Sequence, residues 1–457
     1  MLLLSCFLGA ISTALLISAQ GVNTTACDAQ CMQNYQAALA SEQALWATQN
    51  ISDDSFYDTP SNASSSKPGD VLRWQTLSAD HVAANWSMVP SGMSLARFLY
   101  VTEDVDRKPI PASAFVLLPY CPGTWSAPGA AKFNTVVWAH GTAGRARQCA
   151  PSNNRELYYG WEAPFFLASS GYAVVAPDYA GQGTLIPGEF HYEAGMLHAA
   201  DVAYALVAAR SILGEILSDE WVVAGHSEGG MTAWRTNERL AMSDQDALLK
   251  AGKLIGAVSA APALRPIDLI PREIELAGQG PLGDIVSVYL LQSVTRIYSD
   301  LIFDDYINGP AKTLLPMVDQ SCLVTGETLF ASLTVARIYK STSWLTSPQF
   351  ADWQERFNGA GAAQLAAPML VVQGLNDTIT YSNNTEWDFN RTCSAFPNST
   401  AELYLVPELG HDPAFQAAQP YYIDWIRQRF AGVDIAKGCV TRTAVPVNCD
   451  FVRGETG

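Results

Sequence analysis

Short apolar runs with no polar interruption are the feature of this sequence that most constrains its fold. They alternate with longer stretches that have the length and apolar spacing of helices. The runs span residues 135–139, 173–176, 221–224, 254–259, 369–373 and 402–406. Uninterrupted runs of this kind are typical of strands that are covered on both faces. Strands that alternate with helices in this way predict an α/β protein with a mostly parallel sheet.

The alternation stops after Pro262 and resumes near residue 367. The stretch between these points is interrupted by Pro and Gly and is mostly helical in pattern. Within it, residues 285–303 are apolar almost all round, which is typical of a helix that is buried or faces a ligand. A stretch of about a hundred residues has the size of a small subdomain. We therefore predict a helical cap, residues 263–366, inserted into the core over the carboxyl ends of its strands.

The remaining segments complete the predicted organisation. The first strands are predicted at residues 95–101 and 114–118, and helices at 28–49, 193–213 and 421–430. The predicted domains are a signal peptide at 1–19, an N-terminal extension at 20–70, an α/β core at 71–262 and 367–457, and the cap at 263–366.

A Gly-x-Ser-x-Gly motif stands directly after the predicted strand 221–224 and before a helical stretch. It runs Gly225-His226-Ser227-Glu228-Gly229. The turn from strand to helix is tight in this context, and glycine two residues on either side of the serine keeps Cβ atoms out of it. The serine is thereby exposed at a helix N-terminus, where backbone N–H groups stabilise negative charge. We therefore predict that Ser227 is a nucleophile.

A serine nucleophile needs a base, and after a turn of this kind the chain order is serine, acid, histidine. Of the six histidines, only His411 follows Ser227. It lies just past the predicted strand 402–406, where the base of such a site should lie. We predict that His411 is the base.

The acid that orients this histidine should follow the preceding strand. Asp377 stands at the carboxyl end of the predicted strand 369–373, and catalytic groups of open α/β sheets lie at such ends. Glu386 and Asp388 are rival acids further along, in a stretch predicted to be a solvated helix. We predict that Asp377 is the orienting carboxylate.

Two backbone N–H groups are needed to bind the oxyanion that forms when a carbonyl is attacked. One belongs to Glu228, the residue after the nucleophile. The second comes from the loop after the strand 135–139, which contains His140, Gly141 and Thr142. We predict Thr142 as this donor, with Gly141 as the alternative. His140 precedes the nucleophile in the chain and is predicted to brace the loop.

The beginning of the chain predicts export. Residues 2–19 are apolar or small and carry no charge, as in a secretory signal peptide, and a cut is expected near Gln20. No Lys or Arg precedes the run, and a run of this length could also span a bilayer as an anchor. The small residues at its end favour cleavage, so the protein is expected to be secreted.

Cysteines and glycosylation sequons support this expectation. Cys6 would leave with the signal peptide, and the eight cysteines that remain predict up to four disulfides whose pairing spacing alone cannot give. A glycan at Asn376 would crowd Asp377, so that sequon is predicted to be unused. The predicted acceptors are Asn23, Asn50, Asn62, Asn85, Asn383, Asn390 and Asn398.

Charge and spacing argue against several other functions. The chain has 27 basic and 44 acidic residues and a formal net charge of −17, which repels nucleic-acid phosphates. No Cys/His cluster has zinc spacing, so no metal is expected. A serine that protein groups activate needs no cofactor, and none is expected.

These segments together resemble the fungal secretory lipase family over residues 70–440. The resemblance is carried by the turn at Ser227, the loops at Asp377 and His411, and the segments 149–152, 171–178 and 193–196. It implies an α/β-hydrolase fold with a helical cap inserted before the acid, and members that hydrolyse esters, from triglycerides to acetylated small molecules. By position, Ser227, Asp377 and His411 match the family's triad.

The resemblance also implies two disulfides, Cys149–Cys322 and Cys393–Cys439. The pairing of Cys27, Cys31, Cys121 and Cys449 stays open. The sequence departs from the family pattern in Glu228 after the nucleophile and in the His-Gly-Thr loop.

The chain is therefore expected to be a secreted serine carboxylic-ester hydrolase, a lipase, esterase or deacetylase of acylated small molecules, that acts through an acyl-enzyme. Its expected partner is an ester substrate, with transient contact to a lipid surface, and the protein is expected to be a monomer. A serine exopeptidase or amidase with the same triad is the first alternative. A secreted binding protein is the second, and the complete serine, acid, histidine order argues against it.

Overall fold

A computed structural model of the protein places one ten-stranded sheet at the centre of the residues that it describes. The structure describes residues 26–48, 50–123, 132–359 and 362–447. The predicted signal peptide, its cut near Gln20, Asn23 and Cys449 lie outside these residues. The strands are β1 (Val71–Thr76), β2 (Met93–Glu103), β3 (Pro109–Pro119), β4 (Phe133–Ala139), β5 (Ala173–Pro177), β6 (Leu217–His226), β7 (Lys253–Ala260), β8 (Met369–Gly374), β9 (Thr400–Val406) and β10 (Gly438–Thr443).

The strand order is β1-β2-β3-β5-β4-β6-β7-β8-β9-β10. The first three strands pair antiparallel, and β3 pairs antiparallel with β5. Every pair from β5 to β10 is parallel. The mostly parallel α/β sheet predicted from the sequence is confirmed.

Sixteen α-helices surround the sheet in the described residues. They are α1 (Ala29–Ala44), α2 (Ala79–Asn85), α3 (Pro164–Ser169), α4 (Gly195–Leu213), α5 (Glu228–Arg239), α6 (Asp246–Leu249), α7 (Pro266–Ala277), α8 (Val286–Ile297), α9 (Phe303–Tyr306), α10 (Gly309–Val318), α11 (Leu323–Phe330), α12 (Val335–Ile338), α13 (Pro348–Trp353), α14 (Ser382–Ala395), α15 (His411–Ala417) and α16 (Gln419–Phe430). Helices α7 to α13 lie between β7 and β8 in the chain. Whether they form a separate cap stays a prediction.

The sheet separates two hydrophobic cores, and successive residues of one strand enter opposite cores. Val137 and Val223 pack with α4 and α5 on one face, whereas Val136 and Val222 pack with α3 and α16 on the other. This alternation is the period of a β-strand, and because both sides are apolar the strands appear as continuous apolar runs. One described helix, α4, is long and apolar enough to cross a membrane, but 61 % of its most apolar 18 residues are buried in the protein.

Two strands were not predicted, and both lie at an edge of the sheet. Among the described residues, β1 pairs only with β2, and β10 only with β9. The residues of β1 are mostly half-buried, and those of β10 are half-buried or exposed. A strand covered on one side can carry polar residues, so neither β1 nor β10 forms an uninterrupted apolar run.

Two helices are shorter than predicted. The predicted helix 28–49 ends at Ala44, because the chain then pairs with another loop: the Ala47 N–H donates to the Asn153 carbonyl at 2.6 Å. The predicted apolar helix 285–303 ends at Ile297, where Tyr298 turns to an extended conformation. In both cases tertiary contacts or backbone turns end the helix before its apolar pattern does.

Three disulfides link the described residues. Cys27 pairs with Cys31 beside α1, Cys149 with Cys322, and Cys393 with Cys439. The last two are the pairs that the resemblance implies. The second ties the loop after β4 to the start of α11, and the third ties α14 to β10. Cys121 is exposed and has no partner among the described residues, so a fourth disulfide stays a prediction.

Candidate active site

Ser227 occupies the turn between β6 and α5, in a backbone conformation that non-glycine residues rarely adopt. Its φ is +60° and its ψ is −121°, and its N–H donates to the Ala260 carbonyl at 2.9 Å. A Cβ on Gly225 would collide with the Gly229 carbonyl, and one on Gly229 with the Ala139 carbonyl. The two glycines therefore let the turn close against β4, and a strained serine at such a turn is typical of a nucleophile.

His411 and Asp377 lie together beyond the ends of β9 and β8. The imidazole Nδ1 is 2.8 Å from Asp377 Oδ2, and Thr380 Oγ1 lies 3.2 Å from the same nitrogen. Because a carboxylate only accepts, Nδ1 carries the proton and Nε2 is left free to accept one. His411 and Asp377 are both buried. The structure thus brings the predicted base and acid into contact.

The Asp377 carboxylate is held by a dense set of donors. Burial alone would raise the pKa of Asp377, but the hydrogen bond and charge of His411 and the backbone N–H groups of Thr380 and Ile379 lower it below its ordinary value. Both N–H groups lie 2.9 Å from Oδ1. Gln373 Nε2 and Thr380 Oγ1 donate to Oδ2 at 3.2 and 2.8 Å. The acid is therefore ionised and fixed in direction.

The rival acids lie on α14 and serve other contacts. Asp388 is buried and lies 3.7 Å from an Arg265 nitrogen and 3.9 Å from an Arg391 nitrogen. Glu386 is half-buried. The stretch was predicted to be a solvated helix, and that expectation is wrong for Asp388, which faces these arginines from inside the protein.

The predicted oxyanion loop after β4 is braced from two sides. The Tyr158 hydroxyl donates to the Thr142 carbonyl at 2.6 Å, and Thr142 Oγ1 lies 2.9 Å from the Tyr192 hydroxyl. A Cβ on Gly141 would collide with the Tyr159 hydroxyl. Tyr158 and Tyr159 belong to a run of three successive residues with positive φ, which begins at Leu157. This is rare for side chains of this size.

Two buried histidines near the nucleophile are structural. His140 stacks on Tyr179 at 4.2 Å, and burial lowers its pKa to about 4. His226 lies 4.5 Å from the ring of His411 and stacks on Phe415, and burial lowers its pKa to about 3. Both are neutral, so they support the loop and the base by packing.

One cavity of about 760 Å³ joins the predicted site residues. Ser227, His411 and Thr142 all line it. Its walls include apolar residues of the helices between β7 and β8: Leu269, Ile270, Leu276, Val286, Leu290, Leu323 and Val324. Leu290 of α8 faces the cavity, whereas Leu291 and Val294 are fully buried in the core.

The described residues contain one cluster close enough to hold a metal. The ligand atoms of His226, His411 and Asp412 lie within 4.8 Å of one another. A metal there would occupy the imidazole of His411, which is predicted to act as the base. We therefore assign the cluster no metal.

The sequence profile of the Alpha/beta hydrolase family matches residues 136–422. The chain belongs to this family. The family range includes the nucleophile turn, the acid and the histidine, so the site described above lies wholly inside the matched region.

Solved structures share the fold of this alpha/beta hydrolase. Candida antarctica lipase A in its closed state is similar with a TM-score of 0.68 and 16 % identity, over 90 % of this chain and 94 % of that one. The rice cell wall degrading esterase LipA from Xanthomonas oryzae is similar with a TM-score of 0.57 and 21 % identity, over 80 % and 97 %. No curated protein matches the chain in sequence. The resemblance stated from the sequence is confirmed as a likeness of fold.

Sequence reasoning missed three groups of the site in this alpha/beta hydrolase. Thr380 contacts both the acid and the base, and its place three residues after Asp377 in a turn is the signal that could have found it. Tyr158 and Tyr159 had no signal, because their roles depend on the fold. Glu193 lines the cavity beside the nucleophile turn, although its segment was noted only for its resemblance.

Glu228 carries a second feature besides its backbone N–H. Its side chain is fully buried behind Ser227, and its Oε1 accepts the Glu193 N–H at 2.9 Å. Burial raises the pKa of Glu228 to about 8. The carboxyl is therefore protonated in the folded protein at neutral pH, whereas in the unfolded chain it is ionised.

We expect Glu228→Gln to stabilise the protein at pH 8. A raised folded-state pKa means that stability falls as the pH rises from about 4.5 to about 8, and glutamine removes this loss while keeping an oxygen for the Glu193 N–H. The gain in the free energy of unfolding should be on the order of 1–3 kcal/mol at pH 8 and near zero at pH 4. Denaturant melts of both proteins across this range check the prediction. A variant less stable than wild type at pH 8 would contradict it.

Proposed function

We propose that this alpha/beta hydrolase is a secreted serine carboxylic-ester hydrolase that acts through an acyl-enzyme. One observation carries the proposal: Ser227, on its strained turn, and His411, held by Asp377, open into the same cavity. A nucleophile and an oriented base that share a substrate-sized space form the arrangement that acyl transfer requires.

In the proposed reaction, Ser227 Oγ attacks the ester carbonyl while His411 Nε2 takes its proton. The imidazolium then gives that proton to the leaving alcohol, and Asp377 stabilises the charge. The N–H groups of Glu228 and Thr142 bind the oxyanion. Water, activated by the same imidazole, then cleaves the acyl-enzyme and releases the acid.

The surroundings favour an ester as the substrate. The two similar structures are a lipase and an esterase by name, and the walls of the cavity are largely apolar. The helices between β7 and β8 would act as the predicted cap, 263–366, and shape the acyl pocket. Transient contact with a lipid surface and a monomeric state belong to the same proposal.

Secretion is supported by the disulfides and by the position of the sequons. Three disulfides suit an oxidising compartment. Asn376 is exposed, and its amide donates to the Glu408 carbonyl at 3.2 Å. The predicted acceptors Asn50, Asn62, Asn383, Asn390 and Asn398 are exposed, and Asn85 is half-buried.

A panel of p-nitrophenyl esters and aminoacyl p-nitroanilides tests the function. We expect the wild-type protein to cleave the esters and not the nitroanilides. Hydrolysis of an activated ester needs only the nucleophile, the base and the oxyanion donors of the proposed reaction. Both products, p-nitrophenol and p-nitroaniline, absorb at 405 nm, so their release is followed at this wavelength. Ser227→Ala is the negative control. Faster cleavage of the nitroanilides would instead assign the chain as an exopeptidase or amidase.

A further inference from the structure

The cavity beside Ser227 is strongly acidic. No Lys or Arg is among its described lining residues. The carboxylates that line it are Glu193, Glu273, Asp284, Glu327 and Asp412. The whole chain has 44 acidic and 27 basic residues. The excess of acidic over basic residues is therefore larger in the cavity lining than in the chain as a whole.

The carboxylates reach the cavity from separate segments and lie close enough to repel one another. Glu273 lies on α7, Asp284 just before α8 and Glu327 on α11, so all three come from the helices between β7 and β8. Burial and then the charge of Asp284 raise the pKa of Glu273 to about 7. The same two causes raise the pKa of Glu327. The cavity wall thus holds carboxyls whose ionisation is disfavoured.

Three of these carboxylates have no cationic partner among the described residues. In the described part of the chain, Glu273, Asp284 and Glu327 form no ion pair, whereas Glu355 lies within 4 Å of both Arg265 and Arg391. Asp284 accepts the N–H groups of Val286 and Ser287 at 2.8 and 3.1 Å, as a helix cap does. Capping accounts for Asp284 alone. Glu273 is half-buried and Glu327 is exposed, and no cation among the described residues pairs with either of them.

We infer that the ester cleaved here carries an ammonium group, which lies among Glu273, Asp284 and Glu327 while its carbonyl lies at Ser227. A bound cation removes the mutual repulsion of the carboxylates and lets them ionise. The tyrosines and apolar side chains of the same cavity suit the methyl groups of a quaternary ammonium. The inference rests on the proposed ester hydrolysis and adds the class of substrate.

Two pairs of isosteric esters test the inference, and in each pair a trimethylammonium group is replaced by a tert-butyl group. Acetylthiocholine and 3,3-dimethylbutyl thioacetate place the charge on the alcohol side. The p-nitrophenyl esters of 4-trimethylammoniobutanoate and 5,5-dimethylhexanoate place it on the acyl side. We expect wild-type kcat/KM to favour the cationic member of at least one pair by about tenfold or more, since complementary charge acts mainly on specificity.

Variants then assign the preference to the carboxylates. The double variant Glu273→Gln/Glu327→Gln should bring the cationic-to-neutral ratio of kcat/KM close to one. The ratio is measured within one preparation, so a change in the folded fraction cancels. Glu275→Gln is the matched control, because Glu275 lies on the same helix, pairs with Arg272 and does not line the cavity. Its ratio should equal that of wild type.

The outcomes separate the two proposals. Equal rates on both members of both pairs, with Ser227-dependent hydrolysis, would overturn the ammonium inference and leave the ester hydrolase standing. A cationic preference that survives in the double variant would also overturn the inference. If no ester is cleaved in a Ser227-dependent way, the proposed function itself fails.

Discussion

Ser227→Ala is expected to lower kcat/KM for ester hydrolysis by about four to six orders of magnitude, because the attacking oxygen is lost. His411→Ala should lower it by a similar factor, since the remaining serine has no base. Neither side chain belongs to a hydrophobic core, so both variants should fold, with Ser227→Ala melting near wild type. His411→Ala should melt lower, because it leaves the buried Asp377 carboxylate without its imidazole partner. The measurement is the steady-state rate on a p-nitrophenyl ester beside thermal melts.

The double variant provides the sharper test. Because the two residues act as a unit, Ser227→Ala/His411→Ala should be no slower than either single variant. His81→Ala is the control: His81 is exposed on α2 and is not among the cavity-lining residues, and its variant should keep full activity. If either single variant kept more than about a tenth of wild-type turnover, the assignment of Ser227 as nucleophile and His411 as base would be wrong, because loss of such a group usually costs far more.

The inner strands of the sheet could be predicted because their burial requires a recognisable pattern of apolar residues in the sequence. β4 to β9 are covered by helices, and strands buried on both faces need apolar residues at every position. β1 and β10 lie at the edges and carry polar residues on their open sides. Their pairing depends on a neighbour that is distant in the sequence, so no local pattern marks them.

The triad candidates could be predicted for a related reason. The turn at Ser227 has room only for glycine at positions 225 and 229. This steric requirement is visible in the sequence as the Gly-x-Ser-x-Gly motif. The histidine and acid follow from chain order and strand ends. Tertiary packing determines the contacts of Thr380 and the positive φ values at Tyr158 and Tyr159. The spacing of residues in the sequence does not predict them.

The acidic lining of the cavity is the feature furthest from local sequence. Glu193 comes before α4, whereas Glu273 and Glu327 lie on two helices that follow β7. Spread along the chain, such residues look like the solvated carboxylates of any acidic protein. Only tertiary packing brings them to the walls of the cavity that Ser227 also lines.

Asp377→Asn is expected to lower kcat by about 10⁴-fold while leaving the fold intact. Asparagine can fill the same space, but its amide can donate to Nδ1 and so favour the wrong imidazole tautomer. It also removes the negative charge that stabilises the imidazolium. Asp388→Asn is the matched control, because it changes an equally buried aspartate of the next helix whose contacts are Arg265 and Arg391. Burial raises the pKa of Asp388 to about 7, so that variant should keep its kcat and lose no stability at pH 8.

The pH dependence of stability separates the two aspartates further. The pKa of Asp377 lies below its ordinary value of 3.8 in the folded protein. A lowered folded-state pKa means that the carboxylate contributes stability above the unfolded pKa and loses it as the pH falls through the folded value. The difference in free energy of unfolding between wild type and Asp377→Asn should therefore be largest near neutral pH and shrink below about pH 4. The opposite result is that Asp388→Asn abolishes turnover while Asp377→Asn only lowers stability. In that case the acid of the triad would be Asp388 on α14, because turnover depends on the carboxylate that orients His411.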